Sequence, residues 1–455
     1  MTRCHEGIQT IHPIVAMPTT YVLKVVRGCL RARRVAAALL LGMPSVLAAQ
    51  AVPVVDLTPA AVKSATSFGS VLNVFEFPDG SLAVNDASSR QLYLLDRTLS
   101  SHKVMLDSAM STSSYGRNSV SIIACNCREL WFPDIASRSI LTFEGTGTQK
   151  RVMSAPSAAD FGFILNARTI ADTLSHLFYR GRPPRAPFPG RTLPPGTPVV
   201  NPDSTPLLRA DFETRKVDTI AKLRSLRGWV QYSSGESATH IAVDILASID
   251  EWTALPDGTV AIVRGHDYHV DWLLPDGRKV SSPKLPFDFK VLTNADKAAL
   301  MDSARKAELE KHRASYDRAK AAGGIEAVAM SSAGGAMVAA GPPMRFPVGE
   351  YHVPVVDSVP FERMPDYYPP IRAGAVTSDL DGNVWILPTT SAQSRAGELV
   401  YDVVNRERGL IMRVRLPVGR SIVGFGKNGT VYLVSRETNG KWIVERTTVS
   451  IPRKI

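Results

Sequence analysis

The stretch VLNVFEFPDGSLAV (Val71–Val84) contains an apolar strand, a Pro-Asp-Gly turn and a second apolar strand. Asp-Gly supplies the positive φ angles that a two-residue hairpin turn requires. The same arrangement recurs three times, with Asp-Gly or Asn-Gly at the turn, in Trp252–Val263, Ala375–Leu387 and Ser421–Val434. A repeated β-hairpin therefore organises this chain of 455 residues.

Six turn positions mark the repeat once two degenerate copies are included: Gly80, Arg128, Ser175, Gly258, Gly382 and Gly429. Successive markers are 48, 47, 83, 124 and 47 residues apart, so three spacings agree on a period near 47. A period of about 40–50 residues with four short strands per repeat is typical of a propeller blade. We predict an all-β fold, a six-bladed β-propeller, with one insertion inside unit 3 and another between units 4 and 5.

The last unit is short of a strand. Three strands can be assigned after position 420, the last being Lys441–Glu445. The β-rich segment Val52–Leu57 (VPVVDL) precedes unit 1. Because an unpaired sheet edge invites aggregation, we predict that residues 52–58 complete blade 6 and join the two ends of the chain.

The loops between second and third strands also repeat. Asp86–Leu92 and Asp134–Ile140 both read Asp-x-small-Ser-Arg-x-aliphatic. In this pattern the chain resembles the NHL-repeat and TolB-like six-bladed β-propellers of exported bacterial proteins. The resemblance implies a fold and no particular activity, since propellers have many functions. We expect the pairs Asp86/Arg90 and Asp134/Arg138 to brace adjacent blades through charge-assisted hydrogen bonds.

Positive charge is concentrated at the N-terminus. Lys and Arg outnumber Asp and Glu by 53 to 42, a net charge of +11, and residues 1–50 account for +5 of it. The rest of the chain has no Lys/Arg run dense enough to follow a phosphate backbone, and no nucleic-acid-binding motif. We therefore expect no nucleic-acid partner.

The N-terminal segment has the pattern of an export signal. The basic stretch Arg27–Arg34 precedes the apolar run Val35–Ala49, which is shorter than the roughly 20 residues of a membrane span. Small residues suit cleavage near Ala48–Ala51. We predict that residues 1–51 are a signal peptide with an over-long start, Met17 being an alternative first residue. The mature protein, residues 52–455, is then periplasmic or secreted and has no transmembrane segment.

Export leaves two cysteines, Cys125 and Cys127, in an oxidising compartment. A Cys-x-Cys pair in a strand points both thiols to one face, at the outer edge of disulfide geometry. A disulfide closed by a turn and a pair of small buried side chains are both open interpretations.

Two insertions interrupt the repeat. Residues 180–206 contain nine prolines from Pro183 to Pro206, so this segment is extended and unsuited to a sheet interior. Residues 287–370 begin with a predicted helix over Asn294–Lys320, whose narrow apolar stripe is Leu300, Ala304 and Ala307. The Ala/Gly/Met-rich stretch Ala327–Met344 has neither helix nor strand period and is predicted to be flexible.

Both insertions are expected on one face of the propeller. The loop between strands two and three of a blade lies at the same end as the connection to the next blade, and the insertions are one of each kind. Long loops grouped on a rigid scaffold are where binding usually occurs. The alternative is that both insertions are surface additions without a function. The candidate residues of this binding face are Arg180, Arg182, His266, Asp267, His269, Tyr367 and Tyr368.

Metal binding has weaker support. His266-x-x-His269 with a carboxylate lacks a local third ligand, so His240 or His352 would have to converge on it. Asp379–Asn383 departs from the calcium-loop pattern and is predicted to be a turn. A channel metal would need side chains of the first strands to meet at the axis; the candidates are Asn73, Glu76, Asn118, Asn166, Asp250, Glu251 and Asp379.

We therefore predict an exported propeller that is a binding scaffold for a protein, small molecule or glycan. No cofactor is predicted. The alternative is a metal-dependent lactonase-, hydrolase- or lyase-like enzyme with Ca²⁺ or Zn²⁺ in the central channel. Convergence of three or more of the channel candidates would favour that alternative.

Overall fold

The structure is a computed structural model that describes most of residues 52–451. The gaps within that range are 59–61, 109–114, 116–119, 126–127, 136, 158–159, 166–168, 183–197, 201–203, 226–229, 234–238, 244–245, 322, 328–329, 334–335, 340–343, 348, 352, 354, 359–360 and 390–397. The predicted signal peptide, Cys127, Asn118, Asn166 and His352 therefore lie outside the described residues.

Two short strands precede the first blade, and their partners lie near the other end of the chain. They are β1 (Val54–Asp56) and β2 (Val62–Lys63). Blade 1 is then an antiparallel meander of four strands: β3 (Val71–Glu76), β4 (Leu82–Asp86), β5 (Gln91–Leu95) and β6 (His102–Asp107).

Blades 2 and 3 share an inner strand. The elements of blade 2 are β7 (Ala124–Cys125), β8 (Leu130–Asp134), β9 (Ser139–Phe143) and β10 (Gln149–Ser154), followed by the short helix α1 (Phe161–Ile164). Blade 3 and its insertion comprise β11 (Ile170–Ala171), β12 (His176–Arg180), β13 (Pro198–Val200), β14 (Ser204–Asp211) and β15 (Val217–Arg224). β7 pairs in parallel with β11, while the adjoining Ile123 forms a bridge with Trp131 of blade 2.

The second half of the chain contains three blades and further insertions. The hairpin β16 (Val230–Ser233) and β17 (Thr239–Val243) precedes blade 4, which is β18 (Asp250–Ala254), β19 (Val260–Arg264), β20 (His269–Leu273) and β21 (Lys279–Ser281). The next insertion contains α2 (Asn294–Ala321), β22 (Ile325–Ala327), β23 (Met330–Ala333), β24 (Ala336–Ala339), β25 (Met344–Phe346), β26 (Val355–Ser358) and a 3₁₀ turn at Phe361–Arg363. Blade 5 is β27 (Val376–Ser378), β28 (Asn383–Ile386), β29 (Val400–Asn405) and β30 (Gly409–Arg415), and blade 6 is β31 (Arg420–Phe425), β32 (Thr430–Arg436) and β33 (Trp442–Thr448).

The prediction of a six-bladed β-propeller is confirmed. Each blade lies between two others, so its inner strands are buried on both faces; β4, β8 and β18 are buried at every residue. This packing explains why Leu82–Val84 and Val260–Val263 read as continuous apolar runs and do not alternate with polar residues.

The N-terminal closure uses a different segment from the predicted one. β2 pairs antiparallel with β33 and completes blade 6, and Lys63 Nζ lies 3.4 Å from the buried carboxylate of Glu445. The segment predicted for this role, residues 52–58, instead contributes β1, which pairs in parallel with β30 as a fifth strand of blade 5. An ion pair between Asp56 and Arg415 (2.7 Å) stabilises that position.

The insertions meet in a second sheet, which we call the auxiliary sheet. Its strand order is β13-β16-β17-β26, so it joins residues from three separate connections. The prediction that both insertions lie on one face is thereby confirmed, and β13 of the proline-rich insertion takes an edge position, as its composition requires. The contribution of residues 225–249 was not predicted, because the extra length of unit 3 was assigned to residues 180–206 alone.

Insertion 287–370 is more regular than predicted. The helix is confirmed as α2, and a reciprocal cap forms between Thr293 Oγ1 and the Asp296 amide (3.2 Å) and carboxylate (2.7 Å). The predicted apolar stripe is confirmed in part: Leu300 and Ala304 are half-buried, whereas Ala307 is exposed. The fully buried residues are Lys297 and Met301. Lys297 can be buried because its ammonium reaches the carbonyl of Phe361 (3.3 Å).

The stretch predicted to be flexible contains two short antiparallel pairs, β22 with β25 and β23 with β24. These strands were not predicted because their small residues show no alternation of apolar and polar side chains. Among the described residues, no helix is long and apolar enough to cross a membrane.

Candidate ligand-binding site

A cavity of about 510 Å³ lies where the connections of blades 3, 4 and 5 meet. We call this end of the propeller the inserted face; it carries the described parts of the connections 180–206, 225–249 and 287–370. The cavity walls come from the end of β15, the segment before β18, the β19–β20 turn, and the two ends of the last insertion. Volumes of this size accommodate a small ligand or a short oligomer.

One wall of the cavity is aromatic and rigidly held. Phe289 and Tyr367 pack edge to face, with ring centroids 6.0 Å apart, and Tyr368 lies beside them. Phe287 continues the row inward (4.8 Å from Phe289) to the fully buried Tyr268 (5.4 Å). Despite this packing, Phe289 is 51% exposed and Tyr367 is 48% exposed, so both rings present surface to a ligand.

Backbone pairing fixes the aromatic wall. The amide of Leu292 donates to the carbonyl of Asp366 (2.7 Å), and the amide of Tyr368 donates to the carbonyl of Lys290 (3.0 Å). The two ends of the 287–370 insertion are therefore paired where they leave the propeller. The wall is ordered before any ligand binds, which lowers the entropic cost of binding.

The facing side of the cavity is polar. His266 and Arg224 are exposed there, and Arg224 forms no ion pair with any residue that the structure describes. The Oγ of Ser248 is buried and has no hydrogen-bond partner among the described atoms. The one acidic residue of the described lining, Asp366, pairs with Lys297 (3.2 Å). A buried hydroxyl without a partner is costly unless something else satisfies it.

The structure separates the residues of the His266–His269 motif. His266 lines the cavity, whereas the ring of His269 lies between Asp267 (Nδ1 to Oδ1, 2.8 Å) and Asp271 (Nε2 to Oδ1, 3.3 Å). The side chain of His240 is outside the described residues. Across the described part of the chain, no group of three or more His, Cys, Asp or Glu residues could hold a metal ion.

An ionic network lies directly beneath the cavity. Arg264 bridges two buried carboxylates, with Nη1 2.6 Å from Asp250 and Nε 2.7 Å from Asp271. Burial alone raises the pKa of Asp271, but hydrogen bonds from Ser281, Lys279 and Arg264 outweigh it, so this pKa lies well below its ordinary value. Asp250, predicted as a channel candidate, belongs to this network.

The two predicted arginines lie elsewhere on blade 3. Arg180 Nη2 contacts the carbonyl of Asp250 (3.3 Å) and Glu251 (3.5 Å), linking blades 3 and 4. The guanidinium of Arg182 lies 5.7 Å from the ring centroid of Phe163. Neither arginine is among the residues that line the cavity.

The structure shows a role for Asp86 within its own blade, whereas the predicted bracing by Asp134 and Arg138 stays a prediction. Asp86 accepts hydrogen bonds from the amides of Gly69 and Ser70 (both 2.9 Å), so it holds the segment that leads into its own blade. Arg90 takes the positive-φ position of its turn (φ 55°), and Arg138 does the same after Asp134 (φ 51°).

A brace of the predicted kind exists at another arginine. Arg215, four residues after Asp211, donates to the carbonyls of Ser154 (2.9 Å) and Ala155 (2.7 Å) of blade 2. The same Asp-x-x-x-Arg spacing could have identified it from the sequence.

The central channel forms a second cavity, of about 480 Å³. Asn73 lines the channel, but its side-chain amide is hydrogen-bonded to the backbone of Ile122. Its Nδ2 donates to the Ile122 carbonyl (2.7 Å), and its Oδ1 accepts from the Ile122 amide (3.1 Å). The one carboxylate of the described lining is Glu76, which accepts a hydrogen bond from Tyr432 (3.0 Å). Of the described candidates for a channel metal site, Asn73 and Glu76 line the channel, so three candidates do not meet there.

Asp379 is held in its own hairpin turn. Its carboxylate accepts hydrogen bonds from the amide of Asn383 (2.8 Å) and from Trp385 Nε1 (2.9 Å). Burial raises the pKa of Asp379, and these bonds lower it in part. The prediction of a turn in place of a calcium loop agrees with this geometry.

Three cavity residues were missed from the sequence: Arg224, Ser248 and Phe289. Arg224 directly precedes the 225–249 segment and Ser248 lies within it, and this segment was not recognised as an insertion. Phe289 had a signal, because Phe287-x-Phe289 and Tyr367-Tyr368 mark opposite ends of one insertion and its ends must lie close together.

Comparison with known proteins gives only distant likenesses. No protein-family model matches the chain, and no curated protein matches it. Among solved structures, virginiamycin B lyase from Staphylococcus aureus is 7% identical over 85% of this chain and 98% of its own (TM-score 0.35). A calcium-binding protein, regucalcin, from Agrobacterium tumefaciens is 10% identical over 88% and 99% (TM-score 0.34). TolB from Acinetobacter baumannii is 9% identical over 81% and 64% (TM-score 0.31). At such identities and TM-scores, none of them assigns an activity or a ligand to this chain.

Proposed function

We propose that this protein is an exported propeller that binds a ligand in the cavity of the inserted face and catalyses no reaction there. The observation that supports the proposal is the pairing of an exposed aromatic wall with an unsatisfied buried hydroxyl. Phe289 and Tyr367 offer apolar contact, and Ser248 offers a hydrogen bond that no described residue makes. This combination is typical of ligand sites.

Thermal-shift screening of a ligand panel tests the proposal. The panel contains oligosaccharides, short peptides and small organic acids, and binding raises the melting temperature by mass action. A ligand of this cavity stabilises the native protein and loses that effect in Tyr367→Ala. The matched control is Leu174→Ala, which removes an apolar side chain that is 64% exposed at the β11–β12 turn, on the opposite face. A panel with no Tyr367-dependent ligand would refute the proposal.

The competing metal-dependent enzyme has less support. A channel metal site needs several converging oxygen or nitrogen ligands, and the described channel lining offers the single carboxylate of Glu76. Ca²⁺ or Zn²⁺ added after EDTA treatment should leave the melting temperature unchanged. A shift that disappears in Glu76→Gln would favour the enzyme instead.

Export is part of the proposal. A basic stretch followed by a 15-residue apolar run supports a cleaved signal. Expression of the full chain in a Gram-negative host should give a periplasmic protein, and intact mass measurement should place its first residue near Ala48–Ala51. A cytoplasmic product that keeps its N-terminus would contradict this part.

A further inference from the structure

The shape of the aromatic wall restricts the ligand. The ring planes of Phe289 and Tyr367 are inclined at 82°, so the two exposed rings form a corner and not a flat platform. A flat heterocycle stacks on only one of the two faces. A chain of linked sugar rings is bent, and its polarised C–H groups complement the negative faces of both aromatic rings.

The charge of the cavity restricts the ligand further. Arg224 and His266 lie on the polar side, and neither forms an ion pair with any described residue. Lys290 stands over the ring of Tyr368 (5.4 Å) at the aromatic side. The carboxylate of Asp366 is compensated by the buried ammonium of Lys297. Among the described residues, the Arg224 guanidinium therefore brings to the cavity a positive charge that no carboxylate pairs with.

The unsatisfied hydroxyl points to the same class of ligand. Ser248 Oγ can both donate and accept a hydrogen bond, and it is buried beside the cavity with no partner in the part of the chain that the structure describes. Sugar hydroxyl groups have the same dual capacity on every ring. A ligand that stacks on the corner thus brings a partner for Ser248 together with its acid group for Arg224.

We propose that the ligand is a short acidic oligosaccharide, a chain of sugar rings that bear carboxylates. The proposal rests on the proposed function, because it names the ligand class of the same cavity. The rings stack on Phe289 and Tyr367, a carboxylate accepts hydrogen bonds from the Arg224 guanidinium, and a ring hydroxyl bonds to Ser248.

Isothermal titration of the purified propeller with three probes tests this assignment. The probes are a galacturonic acid trimer, the neutral galactose trimer, and citrate, which carries carboxylates without sugar rings. The acidic trimer should bind at least about tenfold more tightly than either of the others, because it combines stacking with a charge-assisted hydrogen bond to Arg224.

Variants separate the charge from the stacking. Arg224→Gln should weaken the acidic trimer about 10- to 100-fold and leave the neutral trimer unchanged. Tyr367→Ala should weaken both sugars. The control Arg278→Gln removes an arginine that is 74% exposed on the opposite face and should change nothing.

Three results would overturn the ligand class: no binding of the acidic trimer, equal binding of the neutral trimer, or citrate binding as tightly as the acidic trimer. If Arg224→Gln still bound the acidic trimer more tightly than the neutral trimer by the same factor, the ligand class would be overturned as well. These failures are distinct from failure of the proposed function. A neutral sugar or a peptide that binds and depends on Tyr367 would preserve a binding cavity while refuting the acidic saccharide.

Discussion

Replacement of Arg264 by Met tests the ionic network under the cavity. The substitution removes the guanidinium that lies between Asp250 and Asp271, whose side chains are 8% and 2% exposed. Removing one partner of a buried ion pair costs about 3–5 kcal/mol. Asp250 keeps the amide of Arg224, and Asp271 keeps Lys279 and Ser281, so we expect the lower end, about 3 kcal/mol.

This loss corresponds to a measurable fall in melting temperature. Residues 52–455 form one compact unit, for which the entropy of unfolding is about 0.8 kcal/mol/K at roughly 2.1 cal/mol/K per residue. Arg264→Met should therefore melt about 4 °C lower than the unmodified protein at pH 7. Differential scanning calorimetry measures the shift directly.

The pH dependence identifies the cause. The pKa of Asp271 is depressed in the folded protein, so its stabilising contribution is fully present above the unfolded value of about 3.9 and is lost as the pH falls toward the folded value. Arg264→Met raises the folded pKa of Asp271, so its deficit should shrink as the pH falls from 7 to about pH 2, through the interval between the unfolded and the folded values.

A surface pair in the same blade provides the control. Arg278 pairs with Asp276 at 2.7 Å but is 74% exposed, so Arg278→Met should cost less than about 1 kcal/mol and lower the melting temperature by no more than about 1 °C. The reasoning is refuted if Arg264→Met and Arg278→Met have the same melting temperature. It is also refuted if the loss of stability in Arg264→Met is the same at both pH values.

Three further changes have expected outcomes. Gly265→Ala would place its Cβ 2.0 Å from the carbonyl oxygen of Ile249, and this backbone clash should cost about 2–3 kcal/mol by urea unfolding. Tyr268→Phe removes the donor to the buried Asp402 (2.7 Å) and should cost about 1–3 kcal/mol. Because burial already raises the pKa of Asp402 and loss of the donor raises it further, this deficit should shrink as the pH falls. A chain that lacks everything through residue 66, and with it β2, should melt well below one that lacks everything through residue 58.

Each of these changes has a contradicting outcome. Gly162→Ala, where an added Cβ meets nothing within 4 Å, is the control for the glycine and should be neutral. Tyr316→Phe removes an exposed hydrogen bond to Gly349 (3.1 Å) and should cost less than Tyr268→Phe. If Gly265→Ala were as stable as Gly162→Ala, or Tyr268→Phe as stable as Tyr316→Phe, the contact named for that variant would not cause its loss of stability. If the two truncated chains melted at the same temperature, β2 would not contribute the expected stability.

The blades were predictable because their signal is local. Asp-Gly turns at a period near 47 residues define the hairpins, and the continuous apolar runs are explained by burial between blades. The closure was harder, because β1 and β2 are both short β-rich segments. The choice between them depends on partners nearly 400 residues away, Arg415 for Asp56 and Glu445 for Lys63.

The site was predictable only in part. His266, Tyr367 and Tyr368 line the cavity, since loop position on the inserted face could be deduced from strand order. Asp250 was indistinguishable in sequence from a binding residue, because the guanidinium of Arg264 that pairs with it comes from the neighbouring strand. The partners of His269 were visible in the sequence, since Asp267 and Asp271 lie two residues to either side of it.

The auxiliary sheet imposes an order on folding. β13 and β26 are about 160 residues apart in the chain, yet they belong to the same four strands as β16 and β17. Contacts of such long sequence separation form late, because the intervening loop must first be closed. A nascent chain that has emerged through blade 4 therefore possesses strands β13, β16 and β17 but lacks β26 and the residues of the aromatic wall on either side of it. Its ligand-binding capacity should therefore appear late in refolding, after blades 1 to 4 have acquired their structure.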